Sequence, residues 1–194
     1  MSVAVRQPPR VTLADFLAWP GDGTAKHYEL VDGEIRAMAP ASLTHGLIQA
    51  RISGRIERRL LDIGSLCGIF ITPGIIPNVR ADSNFRIPDL GVTCSKPQPG
   101  QIAMAEPILL VEILSPGNER DTRDNVWAYT TIPSVREILV VQSTRIAAEI
   151  LRRGVDDHWP LGPEEIGPGG IVRLDSIGLT CPIDEFYAGT HLVP

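Results

Sequence analysis

Apolar and polar positions along the chain change period often enough to mark out a series of short elements. Thr12, with Asp15 three residues on and Phe16, Leu17 and Trp19 behind it, has the form of a capped short helix that stops at Pro20. Segments 27–31 and 34–38 flank Asp32-Gly33, a dipeptide that takes positive φ at low cost, and this predicts a tight hairpin. From Ser42 to about Ile63, the residues Leu43, Leu47, Ile48, Ile52, Ile56 and Leu60 recur at spacings of three and four, which predicts the longest helix. At about 100° per residue, His45 falls on the side of Ile52 and Ile56 and points inward.

Beyond that helix the texture becomes β-like. Segment 66–79 is cut by Pro73, Gly74 and Pro77, segment 90–94 is a short strand led by Pro88-Asp89, and segment 108–114 is an almost unbroken apolar run. Such a run fits a strand covered on both faces, at the centre of a sheet. Ser115-Pro116-Gly117-Asn118 ends it, and Asp121-x-x-Asp124 is expected to cap a helix reaching about Thr131. Segments 136–142 and 146–151 read as two more strands. A loop cluster follows at Gly162, Pro163, Gly167, Pro168, Gly169 and Gly170, then a last strand around 177–181. Residues 1–10 read as a loose terminus and 11–194 as one domain.

Composition narrows the class without choosing a function. The 194 residues are 43% hydrophobic, with no uninterrupted apolar stretch of the roughly 18 residues needed to cross a bilayer, so a cytoplasmic protein with no membrane contact is expected. Cys67, Cys94 and Cys181 are far apart, without zinc-site spacing, and are expected to be buried, reduced thiols. The net charge of −5 means that contact with nucleic acid requires a local basic surface, and Arg51, Arg55 and Arg58 on the exposed side of the long helix are the candidates. A solvated helix face explains those arginines equally well.

Glu112 is the most informative residue for chemistry. A carboxylate inside Pro107-Ile-Leu-Leu-Val-Glu-Ile-Leu114 is costly to bury unless a metal, an arginine or water at the strand end compensates it. Alternation puts Asp89, Gly91 and Thr93 on one face of their strand, and if that strand lies beside the Glu112 strand the two acids converge as hard oxygen ligands for Mg²⁺ or Mn²⁺. Taken alone, Asp89 reads equally well as a turn or capping residue.

The order Tyr28-Glu29-Leu30-Val31-Asp32-Gly33-Glu34, Met38-Ala39-Pro40, His45, Pro88-Asp89, Val111-Glu112-Ile113-Leu114-Ser115-Pro116, Asp121, Tyr129 and Val135-Arg136-Glu137-Ile138-Leu139-Val140-Val141 resembles the Pro-Asp…(Asp/Glu)-x-Lys nuclease superfamily. Within it, the chain is most similar to the Uma2 (DUF820) group of restriction-endonuclease-like proteins, over roughly residues 12–187. The resemblance implies an α/β (α+β) restriction-endonuclease-like fold, a central mixed β-sheet flanked by helices. It further implies a Mg²⁺-dependent cut in DNA, metal ligands at Asp89 and Glu112, Glu29 and His45 beside the site and, by analogy, a homodimer.

One departure matters. The superfamily lysine two residues after the strand acid is Leu114 here, and the lysine that Uma2 relatives carry on the next helix is Asn125. Asp121, Asn125 and Tyr129 share one face of that helix, so the surface is present without its cation. Lys96, Arg120 and Arg123 are the candidate substitutes. An inactive nuclease fold that binds nucleic acid or protein is the alternative reading.

Overall fold

Residues 10–193 are described by the structure, a computed structural model. The loose terminus expected at residues 1–10 therefore lies, except for Arg10, outside the described residues. Helix α1 (Leu13–Ala18) starts at Thr12, whose hydroxyl oxygen accepts the Asp15 N–H at 3.1 Å. Strands β1 (Tyr28–Val31) and β2 (Glu34–Ala37) form the expected hairpin, with φ of 51° at Asp32 and 84° at Gly33. Helix α2 (Leu43–Asp62) is capped by Ser42 and buries His45, Ile48, Ile52, Ile56 and Leu60 along one face, the period that the sequence displays.

Six strands make the central sheet, in the order β3 (Gly68–Ile71), β4 (Leu90–Thr93), β5 (Pro107–Leu114), β6 (Glu137–Gln142), β7 (Ala148–Arg152) and β8 (Glu164–Ile166). The sheet is mixed: β5 and β6 are parallel, joined through helix α3 (Glu119–Thr130), and the other neighbours are antiparallel. Outside it, β9 (Ile171–Leu174) and β10 (Leu179–Pro182) form a second hairpin.

Alternation along β5 feeds two cores. Leu109, Val111 and Ile113 join the α2 face and the C-terminal residues Val172, Leu174, Ile183 and Phe186. Leu110 and Leu114 turn to the other face, against Val126 and Tyr129 of α3 and Ile138 and Val140 of β6. Glu112 stands between Leu110 and Leu114, so it belongs to the α3 face by the same period-two rule.

Several expectations need correction. Asn118, not Asp121, is the N-cap position of α3, and its side chain makes no capping bond but accepts the Ser115 N–H at 2.8 Å, closing the Ser-Pro-Gly-Asn turn just ahead of the helix. The loop cluster at 162–170 contains β8, and β9 had no counterpart in the sequence reading. Cys67 and Cys94 are joined as a disulfide, 27 residues apart in sequence, and neither is buried. They flank the paired residues Gly68 and Thr93 of β3 and β4, which sets them opposite each other. Only Cys181 keeps the expected state, a buried thiol that burial and the Glu185 charge push up to about 11.

The segment between β3 and β4 is held by close approaches. Gly74 bridges Ala103 in parallel, and a methyl group added there would lie 2.2 Å from Phe85 Cζ and 2.6 Å from the Ile102 carbonyl oxygen. Gly74→Ala is therefore expected to cost about 1–3 kcal/mol. At about 2–4 °C per kcal/mol for a chain of this size, a thermal melt should show a fall of several degrees. An unchanged melting temperature would mean that this segment is looser than the contacts around Gly74 require.

Candidate active site

The register of β4 and β5 decides how the two acids meet. Leu90 pairs with Val111 in an antiparallel ladder, so Asp89, one residue before, stands across from Glu112, one residue after. Asp89 is fixed on three sides. Its Oδ2 accepts the Ile113 N–H at 2.6 Å, its Oδ1 lies 2.8 Å from His45 Nε2, and its backbone carbonyl accepts from Gln49 Nε2 at 2.8 Å and from the Thr72 N–H at 3.0 Å. His45 Nδ1 lies 3.0 Å from Ser115 Oγ. One tautomer satisfies the ring, with Nε2–H donating to Asp89 and Nδ1 accepting from the Ser115 hydroxyl.

Glu112 is only 7% exposed. Its Oε1 accepts from the Tyr129 hydroxyl at 2.8 Å and from Asn125 Nδ2 at 3.3 Å, while no donor among the described residues reaches Oε2. No lysine or arginine among the described residues pairs with it directly, so the ion-pair explanation of its burial does not apply. Burial pushes the Glu112 carboxyl well above the usual glutamate range, and the charges of Asp89 and Glu29 push it further against the two hydrogen bonds. Tyr129 is likewise raised well above its ordinary value, by burial and then by the Glu112 charge.

Glu29, on β1, is the third acid. Its Oε1 accepts the Ile87 N–H at 2.6 Å, and burial raises its carboxyl against that bond and the nearby charge of Arg86. The structure thus brings Glu29, His45, Asp89, Glu112 and Asn125 to one end of β4 and β5, between the first turn of α2 and the middle of α3. Ser115, Tyr129 and Arg86 join them. None of these three was a site candidate in the sequence: Ser115 read as a turn residue and Tyr129 as a neighbour of Asn125 on one helix face, while Arg86 was missed altogether, since it sits in an alternating polar-apolar run, Asn84-Phe85-Arg86-Ile87, that reads like a strand with a wet face.

The other candidates lie elsewhere. Arg51 donates to the Ala188 carbonyl oxygen at 3.1 Å and Arg55 pairs with Glu185, so both tie α2 to the C-terminal segment, while Arg58 is exposed. Arg123 forms a two-pronged pair with Glu149, Arg120 is exposed, and Lys96 lies beyond the far end of β4 from Asp89. A cavity of about 510 Å³ lined by Ile75, Met104, Glu106, Ile132 and Ser134 contains none of the site residues.

Do these residues fit a divalent cation? Among the described residues no group of three or more His, Cys, Asp and Glu is disposed to hold a metal ion. A two-carboxylate site is nonetheless what Mg²⁺ ordinarily takes, with water and substrate oxygens completing the shell. Three carboxylates that repel one another, with Glu112 Oε2 left without a donor, form an oxygen-rich cluster whose charge such an ion would relieve. The donor chemistry fits.

Comparison with known proteins agrees with this architecture. The crystal structure of a "putative nuclease belonging to DUF820" from Anabaena variabilis superposes with a TM-score of 0.72 over 92% of this chain and 98% of that one, at 17% identity. That likeness defines the class of fold, an α/β domain with a central mixed sheet flanked by helices. A family model, Uma2, "Putative restriction endonuclease", matches residues 13–180, and the chain belongs to the Uma2 family. An uncharacterized protein of Synechocystis sp., slr1290, is 29% identical over 183 residues, which are 93% of each chain. No helix among the described residues is long and apolar enough to cross a membrane.

Proposed function

We propose that this protein is a divalent-metal-dependent endonuclease that hydrolyses phosphodiester bonds of DNA in the cytoplasm, with Asp89 and Glu112 as the metal ligands. The observation that carries this reading is Glu112: a buried carboxylate with no cationic partner among the described residues, set across a strand pair from a second acid. Burying such a charge without compensation costs several kcal/mol, so its presence in a row of leucines calls for a function.

A bound Mg²⁺ or Mn²⁺ would supply Lewis acidity to a phosphate oxygen and acidify a water molecule. The chain's own residues prepare that chemistry. Ile113 N–H and His45 fix the two oxygens of Asp89. Tyr129 and Asn125 hold Glu112 by Oε1 and leave Oε2 turned free. Glu29, whose burial raises its affinity for a proton, would take one from the attacking water, while the departing 3′-oxygen of the DNA takes its proton from solvent.

The purified protein should nick plasmid in Mg²⁺ or Mn²⁺, and Glu112→Ala should not. Mn²⁺ at about a hundred times its dissociation constant should also stabilise the fold by roughly 2.7 kcal/mol, seen as a rise of several degrees in Tm. Tight binding of DNA or metal without any cutting of plasmid, single-stranded DNA or RNA would instead favour the catalytically inactive binding module.

A further inference from the structure

Arg86 lies in the extended segment that leads into Asp89. Its backbone is clamped to Ile75 in both directions, with N–H to O distances of 2.7 and 2.8 Å. The residue is 5% exposed. Arginine at such depth is almost always found against a carboxylate, because a desolvated charge needs a compensating one. Here, among the described residues, the guanidinium has no carboxylate partner. Nη1 donates to Asn125 Oδ1 at 2.8 Å, Nη2 donates to Asn84 Oδ1 at 3.0 Å, and Nε is buried without an acceptor.

Both grips are neutral amides, yet the charge acts on the acids of the site. The Asn125 amide that it grips donates in turn to Glu112 Oε1, and the next residue, Ile87, donates its N–H to Glu29 Oε1, so the guanidinium is set among those carboxylates. The contact with Asn125 also decides which way that amide faces. With Oδ1 turned to Arg86, the Nδ2 group is left to donate to Glu112 Oε1.

We propose that Arg86 is a positioning residue of the candidate active site, supplying the permanent positive charge of the carboxylate cluster and orienting the Asn125 amide onto Glu112. Arg86 and Asn125 act as one unit, in which the cation comes from the segment before β4 and not from α3. The inference rests on the nuclease reading. It also explains why position 125 carries no charge: an ammonium group there would lie beside the Arg86 guanidinium, two like charges in a desolvated space. A guanidinium cannot give up its proton near neutral pH, so the charge it provides is electrostatic and not that of a base.

The test is a cycle of Arg86→Met, Asn125→Lys and the double substitution, with Arg86→Lys as the conservative variant, all in the full chain. Thermal melts without metal, Mn²⁺ titration calorimetry and single-turnover cleavage of supercoiled plasmid are the readouts. Arg86→Met should lose roughly 10- to 100-fold in Mn²⁺ affinity or cleavage, as expected for a residue that holds a ligand in place. Asn125→Lys alone should melt lower than the parent and gain no activity. The double variant should recover both Tm and cleavage relative to either single one, and Arg86→Lys should fall between parent and Arg86→Met.

Additive effects around the cycle, a gain of cleavage by Asn125→Lys with Arg86 in place, or parent-like metal binding and cleavage by Arg86→Met would each overturn the inference. A parent protein that neither cleaves nor binds Mn²⁺ overturns the nuclease reading instead. The metal-free melts then still decide whether Arg86 and Asn125 form one charge unit.

Discussion

Glu112→Gln is expected to abolish metal-dependent cleavage, by about a thousandfold or more, and to leave a protein that melts above its parent in metal-free buffer. The loss follows from removing an anionic ligand, since the ion's Lewis acidity is worth several kcal/mol in the transition state and each 1.36 kcal/mol is about tenfold. The gain in stability follows from the environment. Glutamine keeps the shape of glutamate, and its carbonyl oxygen still accepts from Tyr129 and Asn125. What disappears is the cost of a buried charge and its repulsion by Asp89 and Glu29. Replacing buried charge by neutral groups of similar volume is commonly neutral or stabilising by about 1–4 kcal/mol.

The same substitution fixes a pH signature. The Glu112 carboxyl is held well above its unfolded value, so its contribution to stability is fully present in acid, where folded and unfolded chains are both protonated. As pH rises past the ordinary glutamate range, the unfolded chain ionises first and the parent loses stability, until the folded carboxyl ionises as well. Glutamine has no such proton, so the gap in Tm between variant and parent should widen from about pH 5 to pH 8. Saturating Mn²⁺ should narrow or reverse it, because only the parent gains from the ion. Parallel melting curves at every pH would show that the fold does not raise the Glu112 carboxyl above its unfolded value.

Much of the scaffold could be read because period and burial coincide there. The α2 stripe, the Asp32-Gly33 turn and the apolar run of β5 each meet a single environment along their length, and a one-dimensional pattern suffices for that. Elements of three or four residues are different. β8 is Glu164-Glu165-Ile166 between glycines and prolines, and it is a strand only because β7 offers it a ladder. Cys67 and Cys94 become neighbours through the β3–β4 register, and Arg51 and Arg55 meet Ala188 and Glu185 through the return of the C-terminal segment, neither of which a spacing encodes. Asp89, Glu112, Glu29, His45 and Asn125 stand out in sequence by residue type and order. Arg86 does not, because its alternating run looks the same whether its polar side faces water or the α3 helix that covers it.

Asp89→Asn should match Glu112→Gln in lost cleavage and oppose it in stability. Asp89 gives one oxygen to the Ile113 N–H and the other to His45, so its carboxylate joins β5 to the first turn of α2. Asparagine has one acceptor and one donor group in their place. With its oxygen on Ile113, its NH₂ must donate to His45 Nε2, which moves the ring proton to Nδ1 and makes Ser115 Oγ the acceptor. With the amide turned the other way, two donors face each other at Ile113. The first arrangement keeps every group paired but exchanges charge-assisted bonds for neutral ones, a difference of about 1–2 kcal/mol. At about 2–4 °C per kcal/mol, the variant should melt several degrees below the parent near neutral pH. Opposite signs of ΔTm in two variants that both fail to cut would separate a carboxylate buried for its chemistry from one that also braces the sheet. Cleavage by Asp89→Asn near the parent rate, alongside the same fall in Tm, would leave Asp89 as a brace alone.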